Sequence, residues 1–144
     1  MGFKAIDVTP IASNGPTPIT PMGKDVQVKM FQILRTDTSS VMKAMLPADS
    51  TVLDIHIIGA ASNAGTTATV SVGTSSTATE WINGQDVKTA GGMIRPTTTF
   101  SSTNLPNLEN YPLGTDIQIW GKYAETGAAS SSGGPYNVFV TYVR

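Results

Sequence analysis

The sequence contains no cysteine and has little charge. Only 13% of its 144 residues are Asp, Glu, Lys or Arg, against roughly 25% in an average globular protein. The lack of cysteine excludes disulfide bridges, thiolate metal sites and thiol nucleophiles. The nine basic residues are scattered and the net charge is −1, so no basic face is available to bind DNA or RNA. We therefore expect no nucleic-acid partner.

Long apolar runs are also missing. No segment approaches the roughly 18 consecutive apolar residues of a transmembrane helix. Residues 1–24 contain no apolar run resembling a signal peptide. Met1-Gly2 could begin a myristoylation signal, but Ile6 stands where that motif requires Ser or Thr. These absences predict a soluble product, made in the cytoplasm, with no membrane partner.

Threonine, serine and glycine take the place of charged residues. The chain has 20 Thr, 13 Ser and 14 Gly. The β-branch of threonine suits the pleated surface of a strand, so this composition favours an all-β protein. A chain of this length can bury one core of ordinary size. We therefore expect a single domain.

Residues 1–24 differ in composition from the rest of the chain. Four prolines between positions 10 and 21 each fix φ and remove a backbone donor, which excludes a helix or a central strand. One interpretation is a disordered tail, but the segment is more apolar than typical disordered sequence. The other is an extended N-terminal arm that docks on a neighbouring subunit, followed by one domain over residues 25–144. Its candidate partner-binding residues are Ile6, Val8, Ile11, Ile19 and Met22.

Alternation of apolar and polar residues predicts the strands. The clearest strand, residues 51–60, places Leu53, Ile55 and Ile57 on its inner face, and it is expected to form a hairpin with residues 68–72. Alternation in the first strand blurs at Phe31, which indicates burial on both faces or a bulge. The predicted strands are residues 25–34, 41–46, 51–60, 68–72, 93–101, 115–123 and 135–143, with a further pairing around positions 82–87.

Turn signals separate these segments. Asn83-Gly84, between Trp81-Ile82 and Val87, is the best signal for a type I′ turn, and Gly121 is expected to mark a bulge. About eight short strands with no convincing helix indicate an antiparallel β-sandwich, and we expect a jelly-roll-like form. No repeat that would suggest a propeller or solenoid is visible.

Few residues could carry chemistry. His56 is the only histidine and lies within a predicted strand, which does not favour a Ser-His-Asp hydrolase. Asp54 and His56 share a strand face and could bind a metal with two further ligands, although a solvent-facing position is the favoured interpretation. The acidic residues show no paired spacing, and the glycines of residues 59–65 lack the Lys-Ser/Thr ending of a phosphate loop. We predict no catalytic residue, metal or cofactor, and no enzyme activity.

The aromatic residues leave a different class of function open. Trp81, Trp120, Tyr123 and Tyr136 could form a platform on which sugar rings stack. Packing in the core or in an interface is the favoured role of such side chains. A carbohydrate-binding module is therefore the alternative to a structural protein.

The run DIHIIGAASNAGTTATVSVGTSSTATEWINGQDVKTAGG, residues 54–92, resembles small structural proteins of tailed bacteriophages. Residues 113–143, with LGTDIQIWGKYAETG and SSGGPYNVFVTYV, are similar to the closing strands of those proteins. The resemblance lies in the pattern of predicted strands and turns and includes no functional motif, so no functional residue can be assigned from it.

The resemblance implies a capsid decoration or cement protein, or a head-fibre base. Such proteins are often β-sandwiches that assemble as trimers on the capsid shell. We therefore expect a virion protein on the capsid surface, made in the host cytoplasm, that binds between capsomers and stabilises the head. Its expected partners are the major capsid protein and itself, as a homotrimer. A tail, neck or fibre-anchoring component is the alternative from the same particle.

Overall fold

A computed structural model describes residues 25–48, 50–95 and 115–144. These ranges contain eight β-strands and no helix, and hence no helix that could cross a membrane. The predicted arm over residues 1–24 and the end of the predicted strand over 93–101 lie outside them. The strands are β1 (Val26–Ile33), β2 (Val41–Leu46), β3 (Thr51–Gly59), β4 (Thr67–Gly73), β5 (Ile82–Asp86), β6 (Gly92–Ile94), β7 (Ile117–Thr126) and β8 (Tyr136–Val143).

The strands form two four-stranded antiparallel sheets. Sheet A has the order β1-β8-β3-β6 and sheet B the order β2-β7-β4-β5. Strand β1 therefore pairs with β8, β2 with β7, β3 with β6 and β4 with β5, which is the arrangement of a long antiparallel hairpin rolled into two layers. This is the strand order of a jelly roll with two Greek keys. The predicted all-β sandwich is confirmed.

Strict alternation of side chains builds the core between the two sheets. In β8 every second residue from Tyr136 to Tyr142 is buried, so Val138, Val140 and Tyr142 lie on the inner face. Strands β4 and β7 alternate in the same way, because each has one face against the other sheet and one toward solvent. The largest fully buried side chains are Trp81, Tyr123, Tyr136, Ile33, Leu46, Ile55, Ile57, Ile82, Ile119, Val70, Val72 and Val87.

The predicted inward position of Leu53 is wrong. A register shift between Val52 and Asp54 inserts one extra residue into β3. Val52 is buried in its place, while Leu53 is 46% exposed. The extra residue moves Leu53 off the inner face, whereas Ile55 and Ile57 remain buried as predicted.

The blurred pattern at Phe31 has a different cause from either interpretation. The register of β1 with β8 runs without a shift from Val26 to Ile33, so there is no bulge. Phe31 and Ile33 face the core, and the apolar residues before them face outward and are exposed in the single chain. Strand β1 therefore carries two apolar stripes, one on each face.

The predicted hairpin between residues 51–60 and 68–72 is also wrong. Strand β3 belongs to sheet A and β4 to sheet B. The loop over residues 60–66 crosses from one sheet to the other. Each strand thereby buries its apolar face in the same core, so the alternation is identical to that of a hairpin.

Asn83-Gly84 does not form a turn between two strands. Both residues lie within β5, where the register with β4 shifts between Val70 and Val72. Gly84 has φ of +72°, which a glycine adopts without strain, and its N–H donates to the Ser71 hydroxyl at 3.0 Å. The sequence signal for positive φ is real, but it serves a bulge.

The bulge expected at Gly121 lies on the neighbouring strand. The register of β2 with β7 shifts between Met42 and Ala44, while β7 itself pairs continuously with β4. Gly121 faces the core, and a Cβ there would lie 2.8 Å from the Ile33 side chain. The glycine is needed for this close approach.

Candidate partner-binding surface

The outer face of sheet A carries an exposed apolar patch. Its β1 members, Val26, Val28 and Met30, are 55–63% exposed, and Met93 on β6 is 70% exposed. Phe139 on β8 and Ile58 on β3 lie between them and are partly buried. Large apolar side chains are seldom grouped on solvent-facing strands unless the surface binds something. We call this set the outer-face patch: Val26, Val28, Met30, Ile58, Met93 and Phe139.

Strand register places these side chains beside one another. Met30 is opposite Phe139, which in turn is opposite His56. Ile58 is opposite Met93 on the far edge. Since paired residues on one face of a sheet are in contact range, the patch is continuous across all four strands. A shallow cavity of about 250 Å³ opens at its centre, lined by Val28, His56, Ile58, Met93, Phe139 and Thr141.

One side of the patch is charged. Arg95 donates two hydrogen bonds to Asp54, from Nε to Oδ1 at 3.0 Å and from Nη2 to Oδ2 at 2.5 Å. His56 Nε2 lies 3.5 Å from the same Oδ2. Desolvation raises the pKa of Asp54. The hydrogen bonds from Arg95, together with the electrostatic interaction with His56, outweigh desolvation and hold the pKa of Asp54 below its usual value. Asp54 is thus an ionised anchor for Arg95.

Asp54 and His56 share the outer face of β3, as the sequence predicted. Their partners on the neighbouring strand β8 are Thr141 and Phe139. The Asp54 carboxylate is hydrogen-bonded to the Arg95 guanidinium. No group of three potential metal ligands occurs among residues 25–48, 50–95 and 115–144. Arg95 was missed in the sequence because it is 41 positions from Asp54 and only the β3–β6 pairing joins them.

The aromatic residues do not form a sugar platform. Trp81, Tyr123 and Tyr136 are buried, and the two tyrosine rings stack on each other with centroids 5.9 Å apart. Trp120 alone of the four is partly exposed, on the outer face of sheet B opposite Met42. The interpretation as core packing is confirmed for three of the four residues.

The outer face of sheet B is more polar than that of sheet A. Its central strands present Thr69, Ser71, Gln118 and Lys122. Exposed apolar side chains occur mainly on the edge strand β2, at Met42 and Met45 beside Trp120. Sheet A therefore offers the broader apolar surface for a partner.

Hydrogen bonds fasten the Ser/Gly-rich loop over residues 127–135. Asn63 Oδ1 accepts from the backbone N–H groups of Ser131 and Ser132, both at 2.9 Å. The buried Tyr123 hydroxyl lies 2.9 Å from the Ser62 hydroxyl and donates to Glu125 at 2.7 Å. The loop is thus tied to the β3–β4 crossover.

Glu80 holds the β4–β5 loop together. Its carboxylate accepts hydrogen bonds from the Ser75 hydroxyl, from the Thr77 hydroxyl at 2.8 Å and from the Thr74 N–H at 3.0 Å. Desolvation raises the pKa of Glu80, but these hydrogen bonds outweigh it and lower the pKa from 4.5 to about 2. The ionised form is therefore the one that stabilises the loop.

Replacing Glu80 by Gln is expected to lower the free energy of unfolding at pH 7 by about 1–2 kcal/mol, allowing for solvent screening. Because the folded pKa is depressed, this stabilisation is present above pH 4.5 and is lost as the pH falls toward 2. Urea unfolding at pH 7 and pH 3 measures it, with Asp25→Asn at an exposed position as the control. A difference between Glu80→Gln and the unsubstituted chain that does not shrink at pH 3 would contradict this account.

Two solved structures have a similar fold. One chain of the structure titled "Cyanophage Pam1 capsid asymmetric unit" is 20% identical, with a TM-score of 0.62, over 84% of this chain and 86% of its own. One chain of "Capsid of Ralstonia phage GP4" is 17% identical, with a TM-score of 0.56, over 83% of this chain and 84% of its own. No family model and no curated protein sequence matches the chain. At these identities the likeness establishes the fold.

Proposed function

We propose that the chain is a structural protein of a bacteriophage virion, placed on the outer surface of the head between capsomers, where it stabilises the shell. The observation that carries the proposal is the likeness in fold, over more than four fifths of both chains, to components of two phage capsid structures. The exposed apolar patch on sheet A supports an assembly role, because such a surface is costly to leave in water.

The proposed partners are the major capsid protein and further copies of this chain in a homotrimer. The N-terminal arm, residues 1–24, contacts a neighbouring subunit through Ile6, Val8, Ile11, Ile19 and Met22. Three linked copies bind the shell more tightly than one, because the second and third contacts form at a high effective concentration. That gain amounts to about 10²- to 10⁴-fold in avidity.

The proposed mechanism is adhesive. Asp54 is held in an ion pair with Arg95. This pairing keeps the carboxylate ionised, so Asp54 is better suited to a structural role than to accepting and releasing protons. The basic residues are scattered and the net charge is −1, so the surface is poorly suited to bind DNA phosphates. A protein shell is the partner that we propose. The protein is made in the host cytoplasm and is retained in the finished particle.

Thermal stability of the head tests this role. Heads stripped of the protein are expected to release their DNA at a lower temperature than decorated heads, because the shell contacts that resist internal pressure are lost. Adding back the purified full-length chain should restore the release temperature. Stripped and decorated heads with equal release temperatures would contradict the proposal.

A further inference from the structure

We infer that residues 1–24 of a second copy of this chain lie across the outer-face patch of sheet A. This inference rests on the proposed function, since it identifies the surface that receives the arm. It follows from the size of the patch, from its central cavity, and from the length and starting point of the arm.

The width of the patch suits an extended segment. It runs from Met30 on edge strand β1 to Met93 on edge strand β6, and four strands about 4.8 Å apart cover about 14 Å. An extended chain crosses that distance with about four or five residues, so the arm is long enough to cross the whole patch.

The shape of the patch suits isolated apolar side chains. The shallow cavity of about 250 Å³ is lined mainly by the apolar side chains of Val28, Ile58, Met93 and Phe139, together with His56 and Thr141. The arm carries apolar residues spaced singly or in short steps between prolines. One such side chain can enter the cavity while its neighbours cover Val26 and Met30.

Proline suits the arm to this mode of binding. Prolines fix φ, so an extended segment loses less conformational entropy when it binds. They also remove backbone donors that a strand added to a sheet edge would need. The arm is therefore better matched to the face of a sheet than to its edge, as in the recognition of proline-rich segments by apolar grooves.

The position of the arm indicates a second copy. The arm joins the fold at Asp25, immediately before Val26 at the corner of the patch, on edge strand β1. Twenty-four residues can span up to about 80 Å when extended, several times the width of the sheet. Since the prolines favour an extended conformation, an arm of this length can reach well beyond its own sheet to a neighbouring copy. Exchange of arms around a ring then closes a small oligomer.

Photocrosslinking tests this placement, because the chain has no cysteine and one introduced cysteine takes a unique label. Met30→Cys places a benzophenone probe at an exposed position opposite Phe139, a residue that lines the cavity. After irradiation of the full-length protein, the band of twice the chain mass is digested with trypsin. We expect residues 5–24, which lie between Lys4 and Lys24, joined to residues 30–35. The control Thr69→Cys, on the outer face of sheet B, should give at least tenfold less of this product.

Three results would overturn the inference. The first is a link from position 30 to residues 5–24 found only at single-chain mass, which would place the arm on its own sheet. The second is a two-chain link from position 30 to residues 25–144 in place of the arm, which would indicate packing between folded domains. The third is equal arm linkage from positions 30 and 69. Binding of the protein to phage heads is measured separately. If the protein binds heads but the link to residues 5–24 is absent, this inference alone is overturned. If the link forms but the protein does not bind heads, the proposed function alone is overturned.

Discussion

Deletion of residues 1–24 is expected to convert a trimer, three times the 15.1 kDa of the full chain, into a monomer with the mass of one shortened chain, and to weaken binding to the head by about 10²- to 10⁴-fold. The reason is that the arm supplies the proposed contact between copies, and a trimer binds the shell through linked contacts. Light scattering measures the mass, and sedimentation of the protein with heads measures binding. Circular dichroism should show an unchanged β signal, because the core is built from β1 to β8.

A full-length variant separates the apolar contacts from the length of the arm. In this variant, serine replaces the five candidate contact residues of the arm while every proline is kept. It should lose trimer mass as the deletion does, because the apolar side chains carry the contact. A trimer that persists in both variants would contradict the role of the arm. A trimer lost only on deletion would assign the contact to the backbone or prolines instead. The residues replaced are Ile6, Val8, Ile11, Ile19 and Met22.

Replacing Trp81 by alanine should cost about 3–5 kcal/mol of folding free energy. Trp81 is the largest fully buried side chain and lies just before β5. The backbone N–H of Trp81 donates to the Val72 carbonyl at 3.1 Å. Because this bond fixes the backbone, the site cannot collapse freely around a missing indole. Small domains have total stabilities of about 5–15 kcal/mol, so this loss brings the fold close to unfolding.

Trp120→Ala is the matched control, since Trp120 is partly exposed on the outer face of sheet B. It should cost about 1 kcal/mol or less, as surface substitutions usually do. Urea unfolding followed by circular dichroism compares the two variants without depending on either fluorophore. Equal losses from the two substitutions would show that Trp81 is not the core anchor that its burial indicates.

Local patterns predicted the strands well but not their pairing. The alternation in β8 places Val138, Val140 and Tyr142 on one face of the strand, and the structure shows that this face lies in the core. The same kind of pattern in β3 and β4 did not reveal that they lie in different sheets, because a hairpin and a crossover both bury alternate residues. Strand order depends on contacts between distant residues, which periodicity does not contain.

Bulges account for the wrong side-chain orientations. One extra residue at Leu53 reverses the faces of the residues before it, and nothing in the residue types there marks the shift. At Gly84 the residue type correctly indicated positive φ, but a turn and a bulge make the same demand on glycine. Sequence patterns therefore located the irregularities less reliably than the strands.

The candidate surface was only partly visible in the sequence. The blurred alternation at Phe31 indicates burial on both faces or a bulge, whereas the structure shows one buried and one exposed apolar face. Which stripe faces the core is decided by pairing with β8. Met93 and Arg95 join the patch and its charged edge through β6, and no local signal could link them to β3.

The copy number of the protein in purified virions tests the central claim most directly. Quantitative mass spectrometry against the major capsid protein gives the count, and electron microscopy of the same particles gives the position. A shell protein that binds between capsomers should be present in hundreds of copies over the head. A dozen or so copies at the neck or tail, or none in the particle, would contradict this account.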